Sequence, residues 1–273
     1  MNQYQPGSTK ILKVTELNYD TTVFRIKMPR SFTHEPGQFV ELSVPGLGEA
    51  PISIASSPEE KGYIDLCIRK VGTVTNAIHA MKAGDTVYVR GPYGVGFPVE
   101  AIKGRDIVYL LGGLGLPPVR GHINYVLAHK EDFGTVTILY GARTPADLLF
   151  KDDFDGWMKQ ADFQVTVDAA KNPDGTACTW DGCVGFGVSL IDKLAYPIKD
   201  SVGIIVGPPV MYKFAIKRFK EAGMEDSQIY ISLERLMKCG LGKCQHCQIN
   251  HKYCCLDGPV FNYGETKELP EAI

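Results

Sequence analysis

Long apolar runs are absent from this chain. Its most hydrophobic stretch, Ile107–Val119, is broken by three glycines and two prolines, well short of the ~20 continuous apolar residues that a spanning helix needs. Net charge is nearly absent too. The 29 Lys and Arg stand against 31 Asp and Glu, leaving −2, so neither nucleic acid nor an anionic membrane has an electrostatic reason to bind. The start, Met-Asn-Gln-Tyr-Gln-Pro-Gly, lacks the basic and apolar segments of a signal peptide. No repeat, low-complexity tract, Ser–His–Asp set or paired-carboxylate constellation stands out, so no catalytic acid or base is expected.

What the chain does have is cysteine, concentrated in one place. Five of the eight lie between residues 239 and 255. Cys239, Cys244 and Cys247 follow the C-x4-C-x2-C spacing, with Cys254 or Cys255 further on, which is the plant-type ligand pattern of a [2Fe–2S] cluster. Gly240 and Gly242 inside the first loop let backbone close around inorganic sulfide. The competing readings are a zinc site, a disulfide framework and inert core thiols; His246 and His251 could be further zinc ligands, but an x4 step filled with glycine suits a zinc knuckle poorly. A disulfide framework belongs to much shorter secreted chains. Cys67, Cys178 and Cys183 read as small buried hydrophobes or free thiols. Free thiols beside a thiolate-bound cluster imply a reducing compartment, so a cytoplasmic location is expected.

At 273 residues the chain has room for two cores. Up to Pro98 it reads as short strands: Lys10–Leu17, Thr22–Met28, Gln38–Val44, Pro51–Ser56, Tyr63–Lys70 and Thr86–Arg90. Turn residues separate them, which predicts a six-stranded antiparallel barrel. One helix, Asn76–Met81, is expected inside it, with Thr75 as its N-cap and Ala83-Gly84-Asp85 beyond its end. After Pro98, buried strands at Ile107–Leu111, Val136–Tyr140, Gln164–Asp168 and Gly203–Val206 alternate with helical stretches such as Pro117–His129 and Met211–Ala222. That alternation predicts a parallel-sheet α/β domain, closed by a strand at Gln228–Leu233. The expected domains are therefore 1–98, 99–233 and a cluster-binding tail at 234–273.

Two strand-to-helix turns in the second domain suit a dinucleotide. Gly112, Gly113 and Gly115 would let backbone N–H groups and a helix N-terminus approach a diphosphate. Gly207, Pro208, Pro209 and Met211 form a second strand-end turn on the same sheet. In the first domain, Pro51-Ile52-Ser53-Ile54 pairs with Arg69-Lys-Val-Gly72-Thr73-Val-Thr75. The latter offers a cation, a glycine and hydroxyls at a helix start, a combination suited to phosphate.

Together these motifs resemble the ferredoxin–NADP reductase superfamily over nearly the whole chain. Pro36-Gly-Gln-Phe-Val40 is similar to its barrel signature, and Arg90-Gly-Pro-Tyr-Gly94 to its inter-domain segment. The tail narrows the resemblance to hydrogenase gamma subunits, the B component of anaerobic sulfite reductase and, more distantly, the electron-transfer subunit of dihydroorotate dehydrogenase. Leu111–Pro118 and Tyr140–Asp147 favour the hydrogenase gamma type. The resemblance implies FAD in the barrel, NAD(P)H in the α/β domain and a [2Fe–2S] cluster in the tail, with Cys255 rather than Cys254 as fourth ligand. It implies that Ile52, Ser53 and Ile54 line the isoalloxazine, while Arg69, Gly72, Thr73 and Thr75 hold the ribityl and phosphate groups. Ala50 and Ile52 occupy the Arg and Tyr places of the family's Arg-x-Tyr-Ser motif, and Arg69 is the nearest replacement for the missing cation. Arg143 can meet a 2′-phosphate or the diphosphate, or stand in solvent.

The implied activity is a diaphorase relay from NAD(P)H through FAD to the cluster. An electron released there needs an acceptor. The expected partner is therefore a hydrogenase, sulfite reductase or similar iron–sulfur subunit, docking on a face containing Lys238, Lys243, His246, Lys252, Tyr253 and Phe261. The rival from another class is a zinc-knuckle regulatory module on a degenerate nucleotide fold.

Overall fold

The computed structural model describes residues 3–269. Two compact units make up the chain. One comprises the chain up to Phe97 together with Pro117–Tyr125 and Leu233–Val260; the other comprises Pro98–Leu116, Val126–Ser232 and the chain from Phe261 onward.

Six strands build the first unit: β1 (Gly7–Glu16), β2 (Thr21–Lys27), β3 (Phe39–Val44), β4 (Gly48–Ser53), β5 (Tyr63–Arg69) and β6 (Thr86–Tyr93). They form one antiparallel sheet in the order β4-β3-β6-β1-β2-β5. Its two outer strands meet where Ile54 bridges to Leu66 and the Ala55 N–H donates to the Asp65 carbonyl at 2.8 Å. Phe24, Ile26, Leu42, Ile64, Leu66 and Val87 fill the interior without solvent exposure. Each such side chain contributes about 1.5–3 kcal/mol by leaving water. The helix α1 (Thr73–His79) begins earlier than its sequence suggests, with Gly72 rather than Thr75 as N-cap. Thr75 acts from inside the first turn: its Oγ1 accepts the Val71 and Gly72 N–H groups at 3.0 and 2.9 Å. A capping hydroxyl can serve from either place, so the pattern of residue types alone misplaces the boundary.

In the second unit the strands are β7 (Ile107–Gly112), β8 (Val136–Ala142), β9 (Asp162–Val167), β10 (Cys183–Val184), β11 (Val202–Val206) and β12 (Ile229–Ser232). The helices are α2 (Leu116–Ala128), whose middle belongs with the first unit, α3 (Phe154–Met158) and α4 (Pro209–Glu221). Strands β7, β8 and β11 are buried along their whole lengths, as central parallel strands covered on both faces must be. The tail adds the small hairpin β13 (Gln248–Ile249) and β14 (Lys252–Tyr253), then β15 (Val260–Asn262) and α5 (Tyr263–Thr266). The large sheet runs β10-β9-β8-β7-β11-β12-β15. So β12 does not close it: β15 lies outside, and Val260 and Phe261 are buried there. Three residues are too few for a periodic pattern to reveal such a strand. Among the described residues no helix is long and apolar enough to cross a membrane.

Candidate functional site

The cysteine loop is organised around backbone N–H groups that point at sulfur. Cys239 Sγ accepts from Leu241, Lys243 and Cys244 at 3.3, 3.4 and 3.5 Å. Cys255 Sγ accepts from Gly242 at 3.1 Å, and Cys247 Sγ from Cys255 at 3.4 Å. Such convergence suits sulfur that carries negative charge. The turns that permit it occur at Gly240 and Gly242, with φ of 71° and 69°. A Cβ on Gly240 would meet the Tyr93 ring at 3.0 Å and one on Gly242 would meet Leu256 at 2.7 Å, so the loop is also closely packed from outside.

Cys254 differs from its neighbour. Its thiol is wholly buried and donates to the Leu233 carbonyl at 2.9 Å, and burial pushes its pKa up to about 12. That is the environment of a protonated thiol turned away from the loop. Cys255 is also pushed up to about 12, by burial first and then by the hydrogen bond with Cys247. Crowded thiols of this kind ionise when a cationic centre joins them. Cys244 is lowered, chiefly by the backbone N–H of His246. Among the described residues no group of three or more His, Cys, Asp or Glu side chains has the convergence that a single bound ion requires.

The segment from Arg90 to Val95 cradles both ends of this tail. Arg90 Nη2 donates to the Lys238 carbonyl at 2.8 Å and Nη1 donates to the Cys239 carbonyl. Val95 N–H donates to the Gly258 carbonyl, and a Cβ on Gly94 would lie 2.6 Å from that oxygen. Glu49 holds the other side of the guanidinium at 2.6 Å and is itself lowered by that contact. Glu41, on the neighbouring strand, is 1% exposed, and neither carboxylate oxygen has a hydrogen-bond partner. Sequence reasoning misses Glu41, Glu49 and this use of Arg90. Glu41 and Arg90 alternate with the core residues Val40, Leu42, Val87 and Val89, so strand pattern alone gives them a solvent-facing reading and does not show that the tail covers that face.

The flavin residues expected in the barrel are placed unequally. Pro51, Ile52 and Ser53 are half-buried on β4, whereas the Ile54 side chain lies wholly inside the barrel core. Only its backbone remains to face a ligand. Arg69 and Thr73 are exposed beside Gly72, but the Thr75 hydroxyl is occupied by its own turn, also donating to the Gly72 carbonyl at 3.1 Å. Just beyond β4, Arg120 donates to the Ala55 carbonyl at 3.1 Å and Gly121 packs so closely that a Cβ would lie 2.4 Å from the Ser56 carbonyl.

In the α/β unit the strand order runs outward from β7 through β8 and β9 on one side and through β11 and β12 on the other. Ligands of such sheets bind at the carboxyl ends of the two strands where the order reverses. Gly112 ends β7 and Gly113 and Gly115 follow it, while Gly207 and Pro208 follow β11 and Pro209 and Met211 open α4. The two turns touch: a Cβ on Gly112 would meet Met211 Sδ at 2.7 Å and Pro208 Cδ at 2.9 Å. Gly115 is needed for packing, because a Cβ there would lie 2.1 Å from the Val206 carbonyl oxygen. Gly113 faces open space, at φ 51°. Its carbonyl accepts from the buried Tyr140 hydroxyl at 3.3 Å, and that hydroxyl accepts from the Leu149 N–H at 3.2 Å. Arg143 is exposed, 2.8 Å from Asp147.

Three family models match in succession. Residues 8–96 match the oxidoreductase FAD-binding domain, 110–217 the oxidoreductase NAD-binding domain, and 234–267 the iron–sulfur cluster binding domain of dihydroorotate dehydrogenase B. The gamma subunit of sulfhydrogenase 1 from Pyrococcus furiosus is 38% identical, covering 98% of this chain and 94% of that protein. A probable electron transfer subunit of dihydroorotate dehydrogenase B from the same organism is 33% identical over 90% of this chain and 86% of its own. Among solved structures, an NADH-dependent reduced ferredoxin–NADP oxidoreductase, described for flavin-based electron bifurcation, aligns with TM-score 0.77 and 29% identity. That alignment covers 94% of this chain and 88% of the other.

Proposed function

We propose, from the premise that this chain belongs to the family of FAD- and NAD-binding oxidoreductase subunits that includes the sulfhydrogenase gamma subunits, that it carries electrons between NAD(P)H and a partner metalloenzyme. A hydrogenase gamma-type role is the reading with most support, because the relative of that kind is matched nearly end to end. The iron–sulfur domain match and the 33% identical relative favour a dihydroorotate-type complex as the second reading. When bound, FAD would turn the two-electron hydride of NAD(P)H into single electrons, and a [2Fe–2S] cluster would pass those on.

The residues divide that work. Cys239, Cys244, Cys247 and Cys255 would hold the cluster, with the loop N–H groups stabilising its sulfur ligands. Pro51, Ile52, Ser53 and the Ile54 backbone would line the flavin ring; Arg69, Gly72 and Thr73 would meet its phosphates, with Thr75 shaping the turn. The open backbone at Gly113 would receive the dinucleotide diphosphate. Gly112, Gly115, Gly207, Pro208, Pro209 and Met211 would shape that turn, with Arg143 beside it. No side chain is asked to exchange a proton with substrate.

Lys238, Lys243 and His246 are exposed on the tail, with Lys252 and Tyr253 half-buried. With the exposed Leu236 and Leu256 they would form the docking face. Phe261 is buried in β15 and takes no part. All eight cysteines are free of disulfides, which supports a reducing, cytoplasmic setting.

The observation that carries this reading is the set of N–H groups aimed at the sulfurs of Cys239, Cys247 and Cys255 while Cys254 is turned away. Anaerobic purification followed by metal and flavin analysis tests it. About one FAD and two iron atoms per chain are expected; stoichiometric zinc without iron would reject it.

A further inference from the structure

Resting on that reading of the cysteine loop, we infer that Arg90 is a positioning residue for it: clamped by Glu49, it fixes the peptide orientations that determine how many N–H groups reach the Cys239 sulfur, and so tunes the reduction potential of the bound cluster. The fork of the guanidinium sets the geometry. Nε donates to both Glu49 oxygens at 3.0 and 3.1 Å and Nη2 to one of them at 2.6 Å. That leaves Nη2 and Nη1 to take the Lys238 and Cys239 carbonyls. A planar five-donor group can hold a carboxylate and two consecutive carbonyls at once; an ammonium cannot hold them in one plane.

Consecutive carbonyls tied to one cation constrain the peptides after them. In a trans peptide the C=O and the next N–H point in opposite directions. Drawing the Lys238 and Cys239 carbonyls toward Arg90 therefore turns the Cys239 and Gly240 N–H groups away from it. The chain then reverses at Gly240, in the left-handed region, and the amides of Leu241, Lys243 and Cys244 fall on Cys239 Sγ. Tyr93 presses on Gly240 from the barrel side, at 3.0 Å from where a Cβ would be, and its ring lies 5.4 Å from the Arg90 carbon. The loop thus cannot slide along the arginine.

Burial makes this use of a cation expensive. Arg90 is only 7% exposed, and burying a cation costs several kcal/mol unless it is well paired. Loop carbonyls at a surface could bond to water instead. A buried guanidinium spent on them secures one orientation of the loop rather than fold stability alone. Hydrogen bonds to cluster sulfurs are among the main determinants of reduction potential, so an arginine that sets their number sets the potential.

The test uses the full chain, purified anaerobically, with Arg90→Lys and Glu49→Gln. Arg90→Lys keeps the charge and loses the fork; Glu49→Gln keeps the fork and loosens its clamp. Arg90→Lys should hold the cluster at a more negative midpoint potential, with an altered EPR g-tensor; Glu49→Gln should alter the g-tensor too, its potential being moved also in the positive direction by the lost carboxylate charge. A cluster-loaded Arg90→Lys with the parent potential and spectrum would overturn the inference. Hydrogen–deuterium exchange of Leu241–Cys244 provides a readout that needs no metal. Exchange should be at least several-fold faster in both variants, and parent-like protection in both would equally overturn the inference. If the parent chain binds no iron, the functional reading fails while the exchange arm still tests the role of Arg90.

Discussion

Gly113 and Gly115 stand in one turn, yet alanine at each should act through a different mechanism. At Gly115 a Cβ would lie 2.1 Å from the Val206 oxygen, 2.5 Å from its carbonyl carbon and 2.8 Å from the Gly207 Cα. All three are backbone, so no side-chain rotation relieves the clash; β7 and β11 must separate. Overpacking costs typically 1–3 kcal/mol when side chains can give, and a backbone obstacle puts Gly115→Ala at about 3 kcal/mol or above. At Gly113 nothing lies within 4 Å, and the penalty is that of a left-handed alanine, about 1–2 kcal/mol. Reduced freedom in the unfolded chain offsets about 0.4–1 kcal/mol of that. Gly113→Ala should therefore cost between about 0 and about 1.6 kcal/mol in stability. Urea unfolding of both variants, with FAD content and NAD(P)H oxidation followed in parallel, measures this. Gly115→Ala should lower the unfolding midpoint clearly, whereas Gly113→Ala should keep most of the stability and raise KM for the dinucleotide. Equal stability of the two variants would refute the packing argument, and an unchanged KM in Gly113→Ala would refute the placement of the diphosphate.

Three other outcomes are expected. Cys255→Ser should lose or alter the iron–sulfur absorbance while Cys254→Ser leaves it largely intact, judged by visible spectra and iron content; the opposite pattern would show that the fourth ligand is misassigned. Burial raises the Glu41 pKa from 4.5 to about 7, so the folded state holds a proton that the unfolded chain releases. Its contribution is complete below about pH 4.5 and is lost as pH rises through about 7, at most about 3 kcal/mol. Glu41→Gln should flatten the fall in unfolding free energy over that range, and an unchanged pH slope would contradict this. Tyr140→Phe leaves the Leu149 N–H without its acceptor and frees the Gly113 carbonyl. A loss of about 1–3 kcal/mol in stability with a raised KM for NAD(P)H is predicted, and parent-like values for both would dismiss the anchor.

Much of this molecule is written in local pattern. Alternating or continuous apolar runs mark β2, β3, β5, β7, β8 and β11 to within a residue or two, because their side chains meet one core whatever else surrounds them. Cysteine spacing and the glycines between them announce the tail. The parts that do not show in sequence depend on distant partners. Whether Gly113 or Gly115 is the packing glycine depends on the end of β11, about ninety residues away in the chain. The clamp of Arg90 on the Cys239 carbonyl joins residues 149 positions apart, and Arg90-Gly-Pro-Tyr-Gly94 by itself reads only as a strand end. Three-residue β15 has no period to detect. Thr75 is easily misplaced because a threonine near a helix start can cap from either position.

The most direct test of the relay is to add NAD(P)H to the anaerobically purified chain and follow flavin absorbance and the low-temperature EPR spectrum together. Bleaching of the flavin band should be followed by the signal of a reduced [2Fe–2S] cluster, approaching about one spin per chain. A chain that binds flavin and oxidises NAD(P)H but develops no iron–sulfur signal, or that contains zinc in place of iron, would contradict the account.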